Sequence, residues 1–173
     1  MLHKFDNLSD IELRSINQAL TFQIVKFFKS RPELLSQAGA AYLPLKKEVA
    51  VDFKELKKIY PLQLSFPILV DEQMKFALPE DEPVKGIWLQ PPYHLVRPDW
   101  YLVPGLAFSL SGARLGRGKG FYDRFFDLNK GLKIGLCWSE QVLENVPSEA
   151  HDAMMDFIIT ENFCWNVKEQ NKI

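Results

Sequence analysis

Four glycines and three cations are packed into nine positions of this chain. Gly112, Gly116, Gly118 and Gly120 alternate with Arg114, Arg117 and Lys119. Glycine lets backbone N–H groups approach an anion closely, and arginine and lysine supply the charge that phosphate oxygens need. The chemistry such a stretch supports is the binding of a phosphate-bearing ligand. A solvated basic turn, using glycine only for its positive φ, is the alternative. Two standard phosphate motifs are not met. A Walker A loop would need glycine where Ala113 stands and a hydroxyl residue where Gly120 stands, and Phe121 breaks a dinucleotide GxGxxG. Asp123 adds a carboxylate just beyond the cations. It is either a partner of a helix dipole, contributing about 0.3–1 kcal/mol, or one side of a metal bridge to a phosphate.

Such a loop needs a strand before it and a helix after it. Trp100 to Val103 is an apolar run closed by Pro104-Gly105, which predicts a buried strand. From about Lys119 the pattern turns helical, with Tyr122, Phe125, Phe126 and Leu128 spaced for one face and Gly131 as a C-terminal stop. Upstream, Ser9-Asp-Ile-Glu12 forms a capping box and predicts a helix from Asp10, with Leu13, Ile16, Leu20, Ile24 and Phe27 as its apolar stripe ending before Pro32. Ala40 to Leu43 is a short strand, and Asp52 to Tyr60 a second helix packing through Phe53, Leu56 and Ile59. Leu64 to Val70 and Met74 to Leu78 are strands joined at Asp71-Glu72, and Val84 to Leu89 another. Lys133 to Trp138 reads as a buried strand, Glu140 to Leu143 as a helical piece, and Phe157 to Thr160 as the last strand. Strands alternating with helices predict an α/β layered domain with a mainly parallel sheet, whose ligand lies beyond the carboxyl ends of the strands.

Composition narrows the function. With 173 residues, 47% of them hydrophobic, the chain fits one domain with a core that needs no staples. A net charge of -1 argues against general affinity for nucleic acid or membrane, so the cations act locally. Cys137 and Cys164 have neither metal-ligand nor CxxC spacing and read as reduced thiols. No apolar signal core or membrane-length run is present, which predicts a cytoplasmic protein, expected as a monomer.

The run Arg-Leu-Gly-Arg-Gly-Lys-Gly-Phe-Tyr-Asp-Arg from Arg114, preceded by Val-Pro-Gly-Leu-Ala-Phe, resembles the signature of the 5-formyltetrahydrofolate cyclo-ligases, also called methenyltetrahydrofolate synthetases. Further segments are similar to that family: Tyr42-Leu43-Pro44 with Glu48-Val49, Phe66-Pro67, Met74-Lys75-Phe76, Ile134-Gly135-Leu136, His151-Asp152 and Ile159-Thr160-Glu161. The resemblance spans about Ser9 to Glu161 and implies a three-layer α/β fold similar to the sugar isomerase and CoA-transferase type. It also implies ATP- and magnesium-dependent closure of 5-formyltetrahydrofolate to 5,10-methenyltetrahydrofolate.

Carried over by motif, Arg114, Leu115, Gly116, Arg117, Gly118, Lys119, Gly120, Phe121 and Tyr122 would bind ATP, with Arg114, Arg117 and Lys119 as the catalytic cations. The folate would contact Leu43, Glu48, Met74, Trp88 and residues 117–121, with Glu48 as a polar anchor and Phe76 and Tyr122 as further candidates. Asp123 and Asp152 would hold magnesium. The family normally begins with an additional helix whose Lys and Arg reach ATP, whereas only His3 and Lys4 precede the capping box here. Weaker ATP binding is therefore expected unless Lys4, Arg97 or Arg124 compensates. A catalytically weak folate- or nucleotide-binding homologue is the alternative within the family, and an RNA-associated module the alternative outside it.

Overall fold

A computed structural model describes residues 8–45, 48–79 and 91–173. Val84 to Leu89, Trp88, His3 and Lys4 lie outside the described residues. Helix α1 (Asp10–Ser30) begins where its capping box dictates, the Ser9 and Glu12 side chains each accepting the other's backbone N–H. Leu20, Ile24, Phe27 and Phe28 on one face are buried, and the helix stops at Arg31, one residue before a proline that cannot donate. Helix α2 (Phe53–Ile59) starts at Asp52, whose carboxylate accepts the Glu55 N–H at 2.9 Å. Only Leu56 of its expected face is fully buried. Ile59 is exposed, because a seven-residue helix turns its last apolar position away from the sheet.

Five strands form the parallel centre: β1 (Gly39–Ala40), β2 (Leu64–Val70), β5 (Trp100–Pro104), β8 (Leu132–Leu136) and β10 (Phe157–Ile159). Their spatial order is β10-β8-β5-β1-β2, every neighbour pair parallel. β3 (Gln73–Leu78) and β4 (His94–Val96) extend one edge in antiparallel fashion, and β11 (Cys164–Asn166) and β12 (Asn171–Lys172) extend the other. The sheet is thus mixed, with a parallel middle.

Several expectations are corrected. The strand expected over Ala40 to Leu43 is only Gly39–Ala40; the Ala41 N–H makes the final ladder bond to Ser65, and the chain turns off toward Pro44. Phe157 begins an inner strand rather than the last one, since Cys164–Asn166 hairpins back onto it. The helical piece expected over Glu140 to Leu143 is helical only in its first half. A 3₁₀ turn over Ser139–Gln141 leads into β9 (Val142–Leu143), which pairs with β6 (Ala107–Ser109), itself paired with β7 (Arg114–Leu115). The stretch expected as a plain loop after Pro104 therefore carries two strands of a second, three-stranded sheet.

Helix α3 (Phe121–Leu128) starts two residues later than expected, behind Gly120 in the left-handed region, and its Leu128 is 84% exposed. Alternation along β5 sorts the helices into layers. Trp100 and Leu102 join the core of α1 and α2, while Tyr101 and Val103 face Phe76, Phe108 and the α3 aromatics Tyr122, Phe125 and Phe126. Gly39 sits against the Trp100 ring, where a Cβ would collide, and Trp100 donates its indole N–H to the Leu34 carbonyl at 3.0 Å. Fully burying one such ring is worth about 1.5–3 kcal/mol.

Candidate active site

β5 delivers the chain at Pro104 to the small sheet, and β7 delivers it to the glycine loop. Gly118 has φ +78° and Gly120 φ +60°, conformations that L side chains rarely adopt. A Cβ on Gly118 would meet nothing within 4 Å, so the loop borders open space. Gly120 caps α3 with no side chain, leaving the first N–H groups of the helix without a side-chain acceptor. Backbone donors, a helix dipole and the open space in front of Gly118 make a cradle for an anion.

The three cations in the loop play different parts. Arg114 is almost buried, with 6% of its side chain exposed, and its Nη2 donates to both carboxylate oxygens of Asp123 at 3.2 Å each. Nη1 reaches the Pro104 carbonyl at 3.4 Å, and the guanidinium stacks 5.2 Å from the Tyr122 ring centroid. Arg117 donates through Nε to Glu48 at 3.0 Å, and the other oxygen of Glu48 accepts the Leu45 N–H at 2.9 Å. Lys119 carries an exposed side chain, and its carbonyl accepts from Arg124, which lies over the Phe121 ring. The two carboxylates expected to hold a metal and the pterin are thus, in this structure, ion-paired or hydrogen-bonded to the loop's own machinery. Asp123 also accepts the Ala153 N–H at 3.4 Å, which brings the residue after Asp152 onto α3. Asp152 accepts the Glu149 N–H at 2.7 Å and closes its own turn. His151 stands exposed beside Glu149 and Asp152.

Burial dominates the electrostatics of the two tyrosines nearby. It pushes the Tyr122 phenol well above its usual range against the pull of Arg114, with the Glu48 charge adding to the rise. Tyr42 is raised by burial first and by Glu48 second, and its hydroxyl donates to the Val49 carbonyl. Both phenols are neutral at physiological pH. The Tyr122 hydroxyl and Arg114 Nε are buried with no partner among the described residues, and orphaned polar atoms in native proteins usually mark a ligand or water.

A groove of about 750 Å³ adjoins the loop between α3 and the antiparallel pair β3 and β4. It brings together Met74, Phe76 and Phe121, three of the expected folate contacts, with Phe125 behind them. Leu43 packs half-buried against the α1 and α2 core. Sequence reasoning missed Arg124 as a clamp on Phe121, although three-residue spacing on a helix could have signalled it. It also missed Ala153, whose role is played by a backbone N–H and leaves no mark in residue type.

An α/β protein with a parallel sheet centre and a glycine cradle at a helix N-terminus is the class these features define. The profile of the 5-formyltetrahydrofolate cyclo-ligase family matches residues 31–161. The 5-formyltetrahydrofolate cyclo-ligase of Mycoplasma genitalium is 32% identical over 164 residues, covering 92% of each chain. Two solved methenyltetrahydrofolate synthetases share the fold. That of Aquifex aeolicus is 31% identical with a TM-score of 0.76, covering 99% of this chain and 91% of its own. That of Mycoplasma pneumoniae is 28% identical with a TM-score of 0.74, covering 92% and 93% respectively. The chain belongs to the 5-formyltetrahydrofolate cyclo-ligase family.

Proposed function

We propose that this protein converts 5-formyltetrahydrofolate and ATP to 5,10-methenyltetrahydrofolate, ADP and phosphate. The observation that carries the reading is the glycine cradle: left-handed Gly118 and Gly120 open onto free space at the N-terminus of α3. The formyl oxygen attacks the γ-phosphorus and ADP leaves. The second folate nitrogen then attacks the activated carbon and gives up its proton, and the oxygen departs with the phosphate. Phosphoryl transfer of this kind needs positioning and charge neutralisation more than a protein nucleophile. Lys119 and Arg117 lie in the loop that would cradle the phosphates. Arg114 acts from below, fixed by Asp123 and Pro104, so its charge is placed before the ligand arrives.

The donor set fits a magnesium ion. Asp123 and Asp152 are hard oxygen donors, the Ala153 N–H on Asp123 bringing the segment that carries Asp152 against α3, and magnesium is commonly held by one or two carboxylates together with substrate phosphates. No group of three metal-ligating side chains occurs among the described residues, which leaves the remaining positions to phosphate and water. When bound, the ion would neutralise charge on the phosphates. Glu48 and Arg117 form a pair that would meet folate on one side and ATP on the other. Methenyl product formation from 5-formyltetrahydrofolate, followed spectroscopically with ATP and magnesium each omitted in turn, tests the reading. Turnover that persists without ATP, or none with all components present, overturns it.

A further inference from the structure

Arg124 grips the glycine loop from outside the anion cradle. The residue is exposed and forms no ion pair with a described residue. Its Nη1 donates to the Lys119 carbonyl at 2.9 Å, and its guanidinium lies 5.3 Å from the Phe121 ring centroid. The side chain therefore folds back over the first turn of α3 and holds the peptide just ahead of it. Lys119–Gly120 is a trans peptide, whose C=O and N–H point to opposite sides. Drawing the Lys119 carbonyl toward Arg124 aims the Gly120 N–H the other way. That N–H has no acceptor among the described residues. The flanking backbone suits a cluster of donors. Gly118 and Gly120 have positive φ and Lys119 between them does not, an alternation of hand that turns successive N–H groups into one concavity. A Cβ on Gly120 would come within 2.9 Å of Arg124 Nη1, so glycine at this position also leaves the guanidinium room to reach the carbonyl.

Resting on the ATP reading above, we propose that Arg124 is a positioning residue for the nucleotide: it fixes the Lys119–Gly120 peptide so that the Gly120 N–H faces the phosphates before they arrive. Its charge is not what the phosphates meet. The guanidinium sits on the carbonyl side of the peptide, and an anion held by the Gly120 N–H lies on the other. Without that hold the peptide can flip, because Gly120 admits either sign of φ, and a flipped peptide presents a carbonyl oxygen to the phosphate. Fixing the donor in advance removes the cost of ordering it at binding. Arg124 thus serves the cradle through the backbone rather than as a substitute for the cations of a preceding helix.

The experiment compares wild type with Arg124→Met, which keeps the length of the side chain but has no donor, and with Arg124→Lys, which keeps a donor. Calorimetric dissociation constants are measured for the non-hydrolysable β,γ-imido analogue of ATP with magnesium and, separately, for 5-formyltetrahydrofolate. Arg124→Met should weaken the nucleotide about tenfold, the size of one charge-assisted hydrogen bond no longer aimed, and leave folate affinity within about twofold. Arg124→Lys should recover most of the loss. The ratio of nucleotide affinities between wild type and Arg124→Met should be the same at about 50 mM and about 500 mM salt, because the lost bond is to a neutral carbonyl and a direct ion pair with phosphate would be screened. Circular dichroism establishes that each variant is folded, as expected for an exposed residue. Unchanged nucleotide affinity in Arg124→Met, equal losses for nucleotide and folate, no recovery in Arg124→Lys, or a ratio that shrinks at high salt overturns the positioning role, while methenyl formation by wild type leaves the cyclo-ligase reading standing. A wild type that neither binds the analogue nor forms methenyl product overturns both.

Discussion

Asp123→Asn separates what this carboxylate does for folding from what it does for chemistry. The substitution is isosteric, yet it removes the charge that both oxygens present to a guanidinium with only 6% of its side chain exposed. Removing one partner of a buried pair costs about 3–5 kcal/mol when nothing replaces it. The amide keeps one acceptor for Arg114 Nη2, and Asp123 itself is 19% exposed, so a loss of about 2–3 kcal/mol is the better figure. For a chain of this size that lowers the melting temperature by roughly 5–10 °C. Stabilities of about 5–15 kcal/mol are usual, so the variant remains folded at 25 °C. If Asp123 holds magnesium as proposed, turnover should nevertheless be abolished at ordinary magnesium concentrations, because the metal would lose a charged ligand. Two assays decide the matter: calorimetric melting without ligands, and methenyl formation across a magnesium titration. The double variant Arg114→Gln with Asp123→Asn should melt higher than Asp123→Asn alone, since neither charge is then stranded. A variant that melts like wild type would refute the pairing. Unchanged kinetics at limiting magnesium would refute the metal role.

Gly118→Val should fold and lose ATP binding. A Cβ there meets no protein atom, but φ +78° strains a branched residue by about 1–2 kcal/mol, and its methyls enter the space left for phosphates. Wild-type ATP affinity by calorimetric titration in the folded variant would count against the cradle. The protein should also lose stability in alkali. Burial, aided by the Asp99 charge, raises the Tyr101 phenol from 10 to about 12, and burial raises Cys164 from 9 to about 12 against Arg31 and Lys26. These folded pKa values exceed the unfolded ones, so the stabilisation is complete below about pH 9 and lost as pH climbs toward 12. Tyr101 alone accounts for up to about 3 kcal/mol. Denaturant unfolding between pH 8 and 11.5 should show the decline, reduced in Tyr101→Phe; a flat profile would disprove it.

Local signals in the sequence were sufficient wherever one short segment carried all the physics. Ser9 and Glu12 set the start of α1 because both halves of the cap lie three residues apart, and the Asp71-Glu72 turn set the β2–β3 hairpin because its strands alternate around it. The glycine loop was legible for the same reason: its glycines and cations are neighbours in the chain. The two- and three-residue strands β6, β7, β9, β11 and β12 were not, since so few residues carry no periodicity and exist only through partners elsewhere. The same limit hid the state of the charges. Residue types nominated Arg114, Arg117, Glu48 and Asp123 separately, but only packing decided that Arg114 is buried against Asp123. Arg117 meets Glu48 across 69 positions of sequence, a contact made because the segment that follows β1 and the glycine loop meet in space. An ion pair depends on distance in space and on exclusion of water, and neither is written in the order of residues.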